Sequence, residues 1–215
     1  MKIMITGASR GLGKELVNVF SNRGNYLIMS NRNGSYELSE EGVVVSGDLT
    51  YLATINTLYH EAELVDGVDV LINCAGIYAN GEFDQVEFKK VMDVNFFAPV
   101  LLTMKLFPLF RRQKGGCIVN LNSLAGKVAG KGEMVYAASK HALKGFFDSL
   151  KFEATKYNIK ILNVYSGAMK TDMTKHRPDW DKLIDPKEVA RVIFDLCQNY
   201  KSLNINEITI TRSNY

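Results

Sequence analysis

Short runs of consecutive apolar residues alternate along this chain with longer stretches whose apolar positions recur every three or four residues. The first run, Lys2-Ile-Met-Ile-Thr6, has the character of a strand buried on both faces, and a helix with Leu16, Val17 and Phe20 on its apolar side follows. Asn25–Asn31 and Val43–Ser46 read as the second and third strands. Only Arg32 to Gly42 separates them, room for a crossover of a turn or two. Asp48 or Thr50 then caps a helix that runs to about Leu64. Val68–Ile72 is the fourth strand, and a long helical pattern fills Glu87 to Arg112 with Asn95 in its middle. Cys117–Leu121 is the fifth strand, with Ser123 just past its end. A helix bearing Tyr136 runs to about Tyr157, and Lys160–Tyr165 is the sixth strand. Ser166 to Asp185 is irregular, Pro186–Asn199 is a helix opening on proline, and Glu207–Thr211 is a final strand.

Strands in alternation with helices predict an α/β fold: a single Rossmann-like, doubly wound parallel sheet of about seven strands with helices on both faces. One domain covers residues 1–215, because no repeat, low-complexity segment or linker divides the chain. Ligands of such sheets bind beyond the carboxyl ends of the strands. Gly7–Gly13, Asp48, Asn73–Gly76, Ser123 and Ser166–Thr171 all follow strand ends, so they converge on one rim.

Composition narrows the function classes. A formal charge of +3 with no basic block argues against nucleic acid or an anionic membrane as partner. The three cysteines, Cys74, Cys117 and Cys197, lack metal-ligand spacing and read as free thiols in a reducing compartment. His60, His141 and His176 are scattered, so no metal site is expected. Met1–Thr6 reads directly as strand rather than leader, and Phe96–Phe110 is too short to span a bilayer. A cytoplasmic protein without a membrane segment is expected.

Two stretches carry chemistry. Gly7-Ala-Ser-Arg-Gly11-Leu-Gly13 joins a strand to a helix, the context in which glycines let a pyrophosphate approach the helix N-terminal amides. Tyr136 and Lys140, four residues apart, share one helix face. A fixed cation there lowers the phenol pKa from its usual value of about 10, making Tyr136 a general acid/base. Ser123, thirteen residues upstream, supplies a hydrogen bond to orient a carbonyl or alcohol. An NAD site places a carboxylate at the end of the second strand to bond the ribose. Here that end reads Ser30-Asn31-Arg32. Arg32, with Arg10 from the glycine loop, would clamp a 2′-phosphate, so NADP(H) is expected in preference to NAD(H). Asn95, an amide in an apolar helix, needs hydrogen-bond partners and reads first as structural.

Together these residues resemble the short-chain dehydrogenases/reductases over essentially the whole chain. Thr6-Gly-Ala-Ser-Arg-Gly-Leu-Gly13 matches that family's T-G-x-x-x-G-x-G loop, and Asn73-Cys-Ala-Gly76 its N-N-A-G motif, with Cys74 in place of the second asparagine. Asn95, Ser123, Tyr136 and Lys140 fall in the order of its Asn-Ser-Tyr-Lys tetrad. Ser166-Gly-Ala-Met-Lys-Thr171 is similar to P-G-x-x-x-T, with Ser166 where proline is usual. The resemblance implies hydride transfer between the nicotinamide and a small carbonyl or alcohol. In it Tyr136 exchanges the proton, Lys140 bonds the nicotinamide ribose, Ser123 holds the carbonyl and Asn95 holds a water that relays protons to Lys140. It implies cofactor contacts from Gly7, Ser9, Arg10, Gly11, Leu12, Gly13, Asn31, Arg32, Asp48, Leu49, Asn73, Ala75, Gly76, Tyr136, Lys140, Gly167 and Thr171. Asp48 would meet the adenine, and Thr171 the carboxamide or phosphates. A homodimer or homotetramer is also implied, built through the long helices after strands four and five.

The alternative is a catalytically idle cofactor sensor or scaffold of the same fold, which would not need Tyr136 and Lys140 together. Substrate choice falls to Ser166–Asp185, which contains Met169, Met173, Lys175, His176, Arg177 and Trp180. Its cations and tryptophan suit an anionic or sugar-like substrate; a solvated loop with Trp180 packed on the domain fits equally.

Overall fold

The computed structural model describes residues 1–32, 41–79 and 85–213. The order is β1 (Lys2–Thr6), α1 (Gly11–Ser21), β2 (Tyr26–Asn31), β3 (Gly42–Ser46), α2 (Leu52–Leu64), β4 (Val70–Asn73), α3 (Gln85–Met92) and α4 (Ala98–Gln113). Then follow β5 (Gly116–Ser123), α5 (Met134–Thr155), β6 (Ile159–Ser166), α6 (Pro186–Gln198) and β7 (Glu207–Ile210). The crossover between β2 and β3 lies outside the described residues.

The seven strands form one parallel sheet in the order β3-β2-β1-β4-β5-β6-β7. Strand side chains point alternately to two cores. Ile3, Ile5, Leu27, Met29, Val119 and Val164 face Leu16 and Phe20 of α1 and Ile193 and Phe194 of α6. Met4, Ile28, Leu71, Ile118 and Ile161 face Leu58 of α2, Leu106 of α4 and Phe147 of α5. Helices therefore cover both faces, and this double burial is why the strands read as unbroken apolar runs. The strand order reverses between β1 and β4, which opens the crevice beyond their carboxyl ends.

Several boundaries differ from expectation for local reasons. Val68 does not join β4, because the Gln113 side chain accepts from its amide at 3.3 Å and donates to its carbonyl at 3.2 Å. Neither Asp48 nor Thr50 caps α2. The cap position is Tyr51, while Asp48 Oδ1 accepts from the Thr50 amide at 2.9 Å and its hydroxyl at 2.8 Å in a turn leading to the helix. Ser123 is the last residue of β5 rather than past its end. The long helix after β4 is interrupted at Asp93–Phe97 by a π-helical segment centred on Asn95. By length and composition alone Glu87–Gln113 could cross a membrane, yet half of its most apolar window is buried in the protein.

Three amides in register cross the sheet beneath the rim. Asn73 Nδ2 donates to Asn120 Oδ1 at 3.0 Å and Asn120 Nδ2 to Asn163 Oδ1 at 3.2 Å. Asn73 also donates to Thr103 Oγ1 of α4, and Asn163 to Asp148 of α5. All three asparagines are buried.

Candidate active site

The glycine loop is shaped by close backbone contact. Thr6 Oγ1 accepts from the amides of Cys74 and Ala75, each at 3.1 Å, drawing the ends of β1 and β4 together. Gly7 has φ of +71°, and a Cβ there would lie 2.8 Å from Ala75 Cα; one on Gly13 would lie 2.1 Å from the Gly7 carbonyl oxygen. No larger residue fits either position. Arg10 precedes α1 in extended conformation and offers no capping side chain, so the helix opens with its N-terminal amides uncapped by a side chain.

These features border a cavity of about 480 Å³. Its lining brings together Gly7, Ser9, Arg10, Gly11, Leu12, Gly13, Asn31, Arg32, Asp48, Leu49, Ala75, Gly76, Tyr136, Lys140 and Thr171, all expected from the sequence. Two expected cofactor residues lie elsewhere. Asn73 turns into the buried amide ladder. Gly167 donates its amide to Ile210 on β7, and a Cβ there would meet Ile184, Ile210 and Leu124. The lining also includes Ser30, Met169 and Met173, expected near the site but not as cofactor contacts, and Ile77 with Lys89 and Lys90 of α3, which the sequence reading missed. No sequence motif marks the two lysines; only the packing of α3 brings them to the crevice. Among the described residues no group of three or more His, Cys, Asp or Glu side chains is placed to hold a metal.

The cavity fits a dinucleotide in shape and donor set. Glycines form its floor where a Cβ would intrude, and the Ser30 hydroxyl is buried there with no partner. Cations from Arg10, Arg32, Lys89 and Lys90 border it. The Asp48 carboxyl is held below its ordinary range, chiefly by the Thr50 amide, against burial and aided by Arg32 and Lys90.

Of the expected tetrad, Tyr136 and Lys140 line this cavity, while Ser123 and Asn95 lie next to them without lining it. The Ser123 hydroxyl accepts from the Ala125 amide at 3.2 Å and lies near enough to Tyr136 to lower its pKa. Asn122 fixes this corner: its Oδ1 accepts from the Ser123 amide at 2.8 Å and its Nδ2 donates to the Lys140 carbonyl at 3.2 Å. The buried Lys140 Nζ donates to the Leu121 carbonyl at 2.8 Å, and burial lowers its pKa to about 8. Burial pushes Tyr136 up to about 12, with Ser123 opposing and Glu133 and Tyr78 adding to the rise. The expected depression of the Tyr136 pKa by Lys140 is therefore corrected. The ammonium is turned to Leu121, 5.8 Å from the centre of the Tyr136 ring, and desolvation dominates the phenol.

Asn95 is a satisfied structural amide. Its Oδ1 accepts from the Ile77 amide at 2.8 Å, and its Nδ2 donates to the Ile77 carbonyl at 2.9 Å and Ser139 Oγ at 3.1 Å. Its side chain thus holds the loop after β4 against α5. A water relay through this side chain would have only the oxygen's remaining lone pair to use.

The fold and crevice define a doubly wound α/β protein with a dinucleotide-type site. The family model described as short chain dehydrogenase matches residues 1–182, and the chain belongs to that family. The mouse dehydrogenase/reductase SDR family member 7B is 36% identical over 189 residues, 80% of this chain and 58% of that protein. The chain thus spans less than two thirds of that relative. An alcohol dehydrogenase from Thermococcus sibiricus, solved with 5-hydroxy-NADP, superposes with a TM-score of 0.90 at 19% identity, covering 100% of this chain and 97% of that one. The 3-ketoacyl-(acyl-carrier-protein) reductase of Brucella melitensis, solved with NADH, gives 0.89 at 21% identity, covering 97% and 96%. These structures share the fold.

Proposed function

We propose that the protein is an NADP(H)-dependent oxidoreductase acting on a small carbonyl/alcohol pair, with Tyr136 as general acid/base. The observation that carries this reading is one cavity bordered by Tyr136, Lys140 and the glycine loop, with the Ser123 side chain near enough to Tyr136 to act on its phenol. When bound, the nicotinamide supplies or accepts hydride at the substrate carbon. In the reducing direction the Tyr136 hydroxyl gives its proton to the substrate oxygen, and Ser123 holds that oxygen by a hydrogen bond. Lys140 keeps a positive charge behind the phenolate that results. Asn95 is a positioning residue, acting through Ile77 and Ser139.

The same reading assigns the pyrophosphate to the glycine loop and the N-terminus of α1, the adenosine to the Asp48 side, and the 2′-phosphate to Arg10 and Arg32. Solved structures of this fold carry either cofactor. For this chain the two arginines, and the absence of a carboxylate at Ser30-Asn31-Arg32, favour the phosphorylated one. A cytoplasmic homodimer or homotetramer belongs to the same proposal. Phe97 at the end of the π-helical segment and Leu101 and Met104 of α4 form an exposed apolar stripe, and Phe152 of α5 is exposed as well, so these helices offer the contact surface. The test is oxidation of NADPH and NADH by the purified protein with a panel of aldehydes, ketones and keto-sugars. Failure of every carbonyl with both cofactors would overturn the reading.

A further inference from the structure

Beside Tyr136 stand two residues, Tyr78 and Glu133, that belong neither to the tetrad nor to the lining of the cofactor cavity. The Tyr78 ring meets the Tyr136 ring edge to face, 5.0 Å between centres. The Tyr78 hydroxyl donates to Glu133 Oε1 at 3.2 Å, while Glu133 Oε2 accepts from the Gly130 amide at 3.1 Å. Glu133 stands at the cap of α5, three residues before Tyr136. The loop carrying Tyr78 is itself held by Asn95 through Ile77 and by packing of Ala79 on Val91 and Val135.

We propose that Tyr78 and Glu133 form the substrate-facing wall and select an uncharged carbonyl compound with a neighbouring hydroxyl, such as a hydroxyketone or keto-sugar, over a keto acid. This deepens the oxidoreductase reading and rests on it. An ionised carboxylate can accept about four hydrogen bonds. Glu133 receives two from the protein, so acceptor positions remain for a substrate hydroxyl and none of its atoms can donate to a substrate carboxylate. The Glu133 charge is felt at the reacting phenol, as the upward push on Tyr136 shows. A second anion bound there would meet like charge in a partly desolvated cleft. Arg177, whose charge acts on Tyr78 and Glu133, is already gripped by Asp179 through two bonds of 2.9 and 3.1 Å. Asp179 also accepts from Arg212 at 3.0 Å, which ties this arrangement to the segment after β7.

The test compares kcat/KM with NADPH for three carbonyls of similar size: hydroxyacetone, butanone and pyruvate. The unmodified protein should prefer hydroxyacetone to pyruvate by at least roughly tenfold, with butanone between them. Glu133→Gln should narrow the gap, mainly by improving pyruvate. Tyr78→Phe, which leaves the carboxylate in place, should keep the discrimination against pyruvate and so separates charge from wall shape. Preference for pyruvate in the unmodified protein, or an unchanged ratio in a folded Glu133→Gln variant, would overturn the proposal while leaving the oxidoreductase reading intact. No turnover of these or any other carbonyl would overturn both.

Discussion

The Lys140 ammonium donates to the carbonyl oxygen of Leu121, two residues before Ser123 on β5. This bond anchors the lysine in the interior beside the Tyr136 ring, at the cost of its hydration. The pKa of about 8 follows from burial, opposed only in part by Cys74.

That value sets a pH dependence. Lys140 is charged below about 8 and neutral above it, while Tyr136, near 12, stays protonated through the whole range. On the proposed mechanism reduction leaves a phenolate that a cation must stabilise, so kcat/KM should fall as pH rises through about 8. Glu133, Tyr78, Ser123 and Cys74 are the other groups acting on this pair. In Lys140→Arg, where the charge persists, the basic limb should vanish even if the rate drops. The sign for stability is opposite: between about 8 and the ordinary 10.5 the unfolded chain binds more protons at this group, so its contribution to stability rises with pH. A basic limb unchanged in Lys140→Arg would assign the ionisation elsewhere.

Tyr136→Phe removes one hydroxyl from a packed ring and should leave the fold and cofactor affinity unchanged. Turnover should fall by roughly 10²–10⁴-fold, the usual contribution of a positioned acid/base. Ser123→Ala should also slow turnover and raise the Tyr136 pKa further, because the Ser123 hydroxyl acts to lower it. Steady-state rates together with cofactor titration check both; near-normal turnover of Tyr136→Phe would refute its role.

Replacing Arg10 and Arg32 together by alanine should remove most of the preference for NADPH over NADH. Hydrogen bonds to charged groups contribute about 1.5–3 kcal/mol each, so the loss should amount to roughly ten- to a hundredfold or more in NADPH affinity. NADH kinetics should change little. Equal kcat/KM for the two cofactors in the unmodified protein would show that the arginines do not clamp a phosphate.

Cys74 borders the cavity but should be inert. Burial raises its thiol to about 12, against a smaller lowering by Lys140, so the reactive thiolate is scarce at neutral pH. Labelling by iodoacetamide should be slow with or without cofactor. Rapid labelling that cofactor blocks would contradict this.

Asn95→Ala should act on structure before chemistry. It leaves the Ile77 amide and carbonyl without their partner beneath the loop after β4, and unsatisfied buried groups cost about 1–3 kcal/mol each. A fall in Tm of several degrees should accompany any loss of rate. A slow variant with unchanged Tm would point instead to a direct role in proton transfer.

The sheet was legible in the sequence because strands buried on both faces leave long apolar runs, and because each rim residue follows such a run. The Ser123, Tyr136 and Lys140 positions were legible for the same reason: helix spacing places two of them and a strand end the third. Hydrogen bonds to backbone left no trace. Nothing in residue pattern shows that Lys140 faces the Leu121 carbonyl, that Gln113 displaces the start of β4, or that Asn95 grips Ile77. The π-helical segment escaped because one widened turn hardly alters an apolar stripe. The Tyr78–Glu133 contact spans fifty-five residues and joins a loop to a helix cap, so no local periodicity marks it.

The amide ladder through Asn73, Asn120 and Asn163 has a consequence for how the site is assembled. A slip of one residue between β4, β5 or β6 would turn these side chains to the opposite face and strand three polar groups among hydrocarbon. The ladder therefore works as an index pin for the central strands: only one alignment closes it. Asn73 immediately precedes the Cys74–Gly76 turn, while Asn120 and Asn163 each stand three residues before Ser123 and Ser166. The loops that meet at the crevice are thus set at matching heights by contacts made inside the sheet, before any ligand arrives.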